Sequence, residues 1–145
     1  MSAQGDDLAT NSDAIIAAVL EAYPGVQAIY LFGSYGTEDE WPNSDIDIAI
    51  LLAPETAKML GALELIKTQN KLASLLHKSV DLLNLRRVST VFQKEVVMAD
   101  RRIYTADEYA AEEFEMLTLS FYQKLNEERA EIMAEIRRTG RAYNV

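Results

Sequence analysis

The segment Asp45–Leu52, DIDIAILL, constrains the fold more than any other part of the chain. Its apolar, β-branched run predicts a buried β-strand that ends before Pro54. Because side chains alternate along a strand, Asp45 and Asp47 are expected on one face and the three isoleucines on the other. Two carboxylates about 6–7 Å apart on a buried strand repel each other and are costly to desolvate. The segment therefore predicts a cation that neutralises them.

A third carboxylate, Asp81, stands at the start of another apolar strand, predicted over Ser79–Leu85. If the two strands are neighbours, Asp45, Asp47 and Asp81 converge. Mg²⁺ suits such a set, because it takes oxygen ligands and keeps positions open for phosphates. Two such ions would activate the attacking oxygen and stabilise the leaving pyrophosphate.

Gly33 and Ser34 follow a further predicted strand, Val26–Phe32. A glycine lets phosphate approach the backbone, and a serine hydroxyl with exposed amide groups can bind phosphate oxygens. The connection to the aspartate strand is about a dozen residues without a helix, so these two strands are expected to be antiparallel neighbours. An ordinary turn, a surface strand and an ion-paired Asp81 are the structural alternatives, and the joint pattern disfavours them.

The remaining pattern predicts an α+β domain: a small mixed sheet with helices on one face, and a long C-terminal helix from about residue 106. Residues 1–11 are polar and are expected to be a disordered lead-in to a single domain over 12–139. Helices are predicted over 12–23, 55–77, 91–100 and about 106–138, with a short fourth strand at 102–104.

The predicted C-terminal helix begins with Thr105-Ala106-Asp107-Glu108, which has the form of a capping box. Its apolar stripe is expected to face the core, at Phe114, Leu117, Phe121 and Leu125. Further apolar residues lie on its other faces, so a second face shared with a partner protein is an equally good interpretation.

The overall composition excludes several classes of protein. The 145 residues include no cysteine, so disulfides, thiolate zinc sites and cysteine nucleophiles are absent. No apolar run is long enough for a membrane span, and a cytoplasmic location is expected. The net charge of 14 − 23 = −9 repels nucleic acid, which makes a direct nucleic-acid partner a poor prediction.

These motifs resemble a known family. Tyr30-Leu31-Phe32-Gly33-Ser34, a gap of ten residues and then Asp45-Ile46-Asp47 resemble the signature of the DNA polymerase β-like nucleotidyltransferases. Val80-Asp81-Leu82 resembles the strand that carries their third carboxylate. The order of elements over about residues 12–138 is similar to that of minimal nucleotidyltransferases, in particular MntA-type antitoxins of HEPN/MNT toxin–antitoxin pairs, which have a polymerase β palm-like fold.

The resemblance implies a specific activity. Such antitoxins transfer AMP from ATP onto a tyrosine of a HEPN ribonuclease toxin and so neutralise it. By position, Gly33, Ser34 and Ser44 would bind the nucleotide, and Asp45 and Asp47 would bind Mg²⁺. Asp81 would bind metal or act as base. Transfer to a small molecule such as an aminoglycoside, and neutralisation by binding alone, are the alternatives.

The chain departs from many relatives in the loop after Gly33-Ser34. Residues 35–41 are acidic and include no lysine or arginine, whereas many relatives have a basic residue there. Metal, or distant cations such as Lys58, Arg86 or Arg87, would then neutralise the triphosphate.

Overall fold

Four strands form one mixed sheet in this computed structural model, which describes residues 3–41 and 44–140, with side chains from residue 8 onward. The strand order is β3-β2-β1-β4. Strand β1 runs antiparallel to β2 and β4, and β2 runs parallel to β3. The predicted pairing of the first two strands is therefore confirmed, and the two aspartate strands are neighbours. The strands are β1 Ala28–Phe32, β2 Ile46–Leu51, β3 Val80–Asn84 and β4 Arg102–Thr105.

Five α-helices and a short 3₁₀-helix surround the sheet in the described part of the chain. The predicted helix over 55–77 is divided at Leu60 and Gly61, which have extended backbone conformations. None of the described helices is both long and apolar enough to cross a membrane. The helices are α1 Ala3–Ala22, α2 Pro54–Met59, α3 Ala62–Leu76, α4 Thr90–Ala99 and α5 Glu108–Thr139, with the 3₁₀-helix at Leu85–Arg87.

Helix α1 begins much earlier than the sequence predicts. Residues 3–11 belong to the helix, where a disordered lead-in was expected, and residues 1–2 lie outside the described residues. Two contacts explain the extension. Leu8 packs against the main core, and Asn11 donates a hydrogen bond of 2.6 Å to the hydroxyl of Tyr35. Tertiary packing thus outweighs the polar composition of this segment.

Helices cover both faces of the sheet rather than the one face predicted. The three isoleucines of β2 pack with α1 and α3 in one core cluster. On the other face, Ala49 and Leu51 pack against Val96 of α4 and Phe114 of α5. The second cluster extends along this face from Leu51 to Phe32, the register partner of Asp47. Asp47 itself is only partly buried at the end of this face.

The apolar stripe predicted for α5 is only partly in the core. Phe114 is buried, whereas Leu117, Phe121 and Leu125 are 57%, 52% and 40% exposed. The buried positions of α5 are Ala111, Phe114 and Thr118. The spacing of the apolar residues correctly predicted a helix. The prediction that this stripe faces the core is wrong for much of α5, because the sheet is too short to cover a helix of 32 residues.

The N-cap of α5 is Asp107, not Thr105 as the capping-box pattern predicted. The Asp107 carboxylate accepts a hydrogen bond of 3.0 Å from the amide of Ala110, whereas Thr105 belongs to β4. We expect Asp107→Ala to lower the free energy of unfolding by about 1 kcal/mol, because an N-H group at the helix start loses its partner. Thr105→Ala is the matched control. Equal losses in urea unfolding for the two variants would contradict this assignment.

Candidate active site

The predicted aspartates lie together at one end of the sheet. In the strand register, Asp47 is paired with Phe32 of β1 on one side and with Asp81 of β3 on the other. Its side chain shares a face with Ala49 and is partly buried. Asp45 precedes β2 by one residue, and both Asp45 and Asp81 are exposed.

The three carboxylates are coupled electrostatically. Burial is the largest cause that raises the pKa of Asp47 above its ordinary 3.8, and together with the negative charges of Asp81 and Asp45 it brings this pKa to about 6. Within residues 3–41 and 44–140, no three His, Cys, Asp or Glu side chains are gathered closely enough to form a ready metal site. The set offers only oxygen donors, which fit a hard divalent cation that would offset the repulsion.

The raised pKa of Asp47 has a consequence for the pH dependence of stability. Because the folded-state pKa of Asp47 exceeds the ordinary value, its contribution to stability is fully present below pH 3.8 and is lost as the pH rises through about 6. We therefore expect the free energy of unfolding of the wild type, relative to Asp47→Asn, to fall across this interval in the presence of a chelator. Urea unfolding between pH 3.5 and 7 measures the difference, and parallel curves for the two proteins would contradict the coupling.

Gly33 lies directly against Asp47. It follows β1 with a φ of +74°, and a Cβ atom at this position would stand 2.1 Å from Oδ2 of Asp47. Only glycine combines this positive φ with so close an approach to Asp47, because a residue with an L side chain is strained at this φ and its Cβ atom has no space. The glycine predicted to admit phosphate is thus the residue that brings the backbone into contact with the carboxylate.

Ser34 and Ser44, both predicted to bind the nucleotide, are brought together across the loop. The Ser34 hydroxyl donates to the Ser44 hydroxyl at 3.1 Å, and Ser44 Oγ also accepts a bond of 2.9 Å from the amide of Trp41. Ser44 is buried, whereas Ser34 is partly exposed. Ser44 therefore braces the loop, and Ser34 is the hydroxyl more accessible to a ligand.

A pocket of about 550 Å³ opens beside Asp47. One wall contains Gly33 and Asp47, and the other is the side of α4 with Phe92, Glu95 and Met98. Phe92 and Met98 are large apolar side chains that remain exposed. The sequence reasoning missed this wall, although spacing of three residues along a predicted helix is a signal that these side chains share a face.

The cations proposed from the sequence are not at this pocket. Arg86 donates to the carbonyl of Leu52 and, at 2.9 Å, to Gln27 Oε1, and it lies over the ring of Phe114. Leu52 directly follows β2 and is five residues beyond Asp47, a distance of roughly 16 Å in extended chain. Lys58 and Arg87 likewise follow the far ends of β2 and β3.

Two other cations hold the loop between β1 and β2. Arg101 donates to the carbonyl oxygens of Gly33 and Tyr35. Lys78 donates to the carbonyl oxygen of Ser44 at 3.0 Å. Both precede a strand on the aspartate side of the sheet, which sequence spacing alone did not indicate.

A comparison with protein families accounts for this arrangement. The family described as "Polymerase beta, Nucleotidyltransferase" matches residues 15–109, which include the loop after β1 and all three aspartates. The chain belongs to this nucleotidyltransferase family. Membership confirms the predicted fold class, and the matched region contains the pocket and the residues predicted to act in it.

Individual relatives indicate a more specific group within this nucleotidyltransferase family. The chain is 39% identical over 126 residues to the protein adenylyltransferase MntA of Shewanella oneidensis, with 87% of each chain covered. The crystal structure of a toxin–antitoxin with AMP-PNP matches with a TM-score of 0.74 and 37% identity, over 88% of this chain and 98% of that one. The chain is thus an MntA homologue, as the motifs predicted.

A second solved structure is similar to this chain to about the same degree as the first. A tri-AMPylated Shewanella oneidensis HEPN toxin in complex with MNT antitoxin matches with a TM-score of 0.71 and 36% identity, over 88% of this chain and 97% of that one. A further solved structure, at 18% identity and a TM-score of 0.53 and covering 68% of this chain and 93% of that one, supports the fold alone.

Proposed function

We propose that this nucleotidyltransferase transfers AMP from ATP onto a tyrosine of a HEPN-type toxin and thereby neutralises it. The contact between Gly33 and Asp47 carries the proposal, because both residues line one pocket. Asp81 is the register partner of Asp47 in the neighbouring strand. The similarity to an adenylyltransferase, and to antitoxins solved with AMP-PNP or with an AMPylated toxin, supports the choice of nucleotide and acceptor.

The proposed reaction is one displacement at phosphorus. The tyrosine oxygen attacks the α-phosphorus of ATP and forms a new P–O bond. The bond between that phosphorus and the bridging oxygen of the β-phosphate breaks, and pyrophosphate leaves. The phenolic proton must also be removed, because a tyrosine hydroxyl with a pKa of about 10 is a weak nucleophile at neutral pH. Asp81, an exposed carboxylate opposite Asp47, accepts this proton.

The residues present fit Mg²⁺. Asp45, Asp47 and Asp81 would hold it, since they offer oxygen donors and a surplus of negative charge. When bound, the ion neutralises the phosphates and the charge that develops on the departing pyrophosphate. Gly33 and Ser34 bind phosphate oxygens through backbone and hydroxyl groups, and Ser44 holds the Ser34 hydroxyl in place.

The decisive experiment supplies ATP labelled at the α-phosphate to the purified protein with its toxin. The expected product is labelled toxin that has lost ribonuclease activity, with GTP a poorer donor. Toxin in which tyrosines are replaced by phenylalanine is the matched control. Label on an aminoglycoside, with none on the toxin, would overturn the proposal and favour transfer to a small molecule.

Neutralisation by binding alone is the second candidate. The exposed apolar residues on α5, among them Leu117, Phe121 and Ile132, favour it, because large exposed apolar side chains often mark a protein contact. The two functions can be separated by variants that abolish transfer but leave α5 intact.

A further inference from the structure

The loop after Gly33 lacks a basic residue, yet the structure places one against it. We name residues 33–41 the glycine–serine loop; its charged members, Glu38, Asp39 and Glu40, are all acidic. We propose that Arg101, from the edge of β4, is a positioning residue that holds this loop in its phosphate-binding conformation. The inference rests on the proposed function, because it concerns the nucleotide-binding part of the same site.

The guanidinium of Arg101 joins two points of the loop. Nη1 donates to the carbonyl oxygen of Gly33 at 3.4 Å, and Nη2 donates to the carbonyl oxygen of Tyr35. The arginine is itself anchored, since its own carbonyl accepts a bond of 2.9 Å from the amide of Leu31 in β1. Bonds from a charged donor to carbonyl oxygens are stronger than neutral ones, and the planar fork fixes direction as well as distance.

These contacts orient the peptide that would bind phosphate. In a trans peptide the carbonyl and the following N-H point in opposite directions. Holding the Gly33 carbonyl on the Arg101 side therefore turns the Ser34 N-H away from the guanidinium, where it is free to meet an anion. The positive φ angles of Gly33 and Gly36, +74° and +76°, fix the turn on both sides of Ser34 and Tyr35.

The loop has no spare space around the guanidinium. A Cβ atom at Gly36 would stand 2.8 Å from Nη2 of Arg101 and 3.0 Å from a methyl group of Leu8. Burial lowers the pKa of Arg101, while Tyr35 and Glu40 raise it. The guanidinium stays protonated, because an arginine pKa lies far above neutral pH. A permanent, half-buried positive charge thus supports a loop whose own side chains are acidic.

The test measures binding of Mg²⁺–AMP-PNP to the full-length protein, without an acceptor. Arg101→Ala is expected to weaken binding about tenfold, the scale of one charge-assisted hydrogen bond. Millimolar guanidinium should restore much of the affinity by filling the vacated space. Arg101→Lys should be intermediate, because it keeps the charge but loses the fork. Arg137→Ala, at an exposed arginine in the last turn of α5, is the matched control and should bind like the wild type.

The outcomes separate this inference from the proposed function. Unchanged affinity in Arg101→Ala would overturn the positioning role. A second result would also overturn it: weaker binding that guanidinium does not restore, together with equal losses of thermal stability in Arg101→Ala and Arg101→Lys. That combination indicates only a structural contact. If the wild type itself bound no nucleotide, the proposed function would fail instead.

Discussion

Replacing both Asp45 and Asp47 by asparagine is expected to lower the rate of AMP transfer by at least about 10³-fold. The estimate follows from the several kcal/mol of charge stabilisation that a divalent cation contributes to phosphoryl transfer, at 1.36 kcal/mol for each factor of ten. Asparagine keeps the shape of the side chain but removes its negative charge. Burial, and after it the negative charges of Asp81 and Asp45, raise the pKa of Asp47, so the ionised carboxylate is costly here unless a cation offsets its charge.

The same variant should fold at least as well as the wild type at neutral pH, because it removes a like-charge repulsion. Transfer is measured with labelled ATP, and stability with urea. Asp13→Asn, at an exposed position on α1, is the matched control and should transfer AMP normally. Toxin neutralisation that survives in the double variant would show that contact through a surface such as α5 suffices. Full transfer by that variant would remove the carboxylates from the mechanism.

Local pattern was enough to predict how the strands that carry the candidate site residues are paired. The strand Asp45–Leu52 and the turn at Gly33 have short, strongly biased sequences, and a short connection leaves few ways to pair their strands. Asp47 therefore lies between β1 and β3 as expected. The roles assigned to Gly33, Ser34, Ser44 and the aspartates remain predictions until nucleotide binding is measured.

Contacts between distant residues were beyond the reach of local pattern. Arg101 follows Gly33 by 68 residues, and only the position of β4 beside β1 brings them together. Local pattern also left Arg86 as a candidate for phosphate binding. In the fold it lies at the opposite end of the sheet, where it donates a hydrogen bond to the carbonyl oxygen of Leu52. Helical spacing identified α5 but could not show where the sheet beneath it ends, so Leu117 was assigned wrongly to the core.

Gly33→Ala is expected to lower the transfer rate by about 10²-fold, with a smaller effect on stability. An added methyl group would stand 2.1 Å from Oδ2 of Asp47, so either the loop or the carboxylate must move. Displacement of a catalytic group by about 1 Å can cost two orders of magnitude in rate. The φ of +74° adds roughly 1–2 kcal/mol of strain for a residue with a Cβ atom.

Gly25→Ala separates this contact from a general effect of losing a glycine. Gly25 also stands at a turn next to β1, but a Cβ atom there meets nothing within 4 Å. We expect it to retain wild-type transfer. Backbone strain and displacement of Asp47 can then be measured separately in Gly33→Ala. Strain lowers the melting temperature, whereas displacement of Asp47 lowers the transfer rate and shifts the pKa of its carboxyl group. A Gly33→Ala protein that transfers AMP at the wild-type rate would mean that the loop can retreat from Asp47 without loss, and the contact would no longer carry the proposed function.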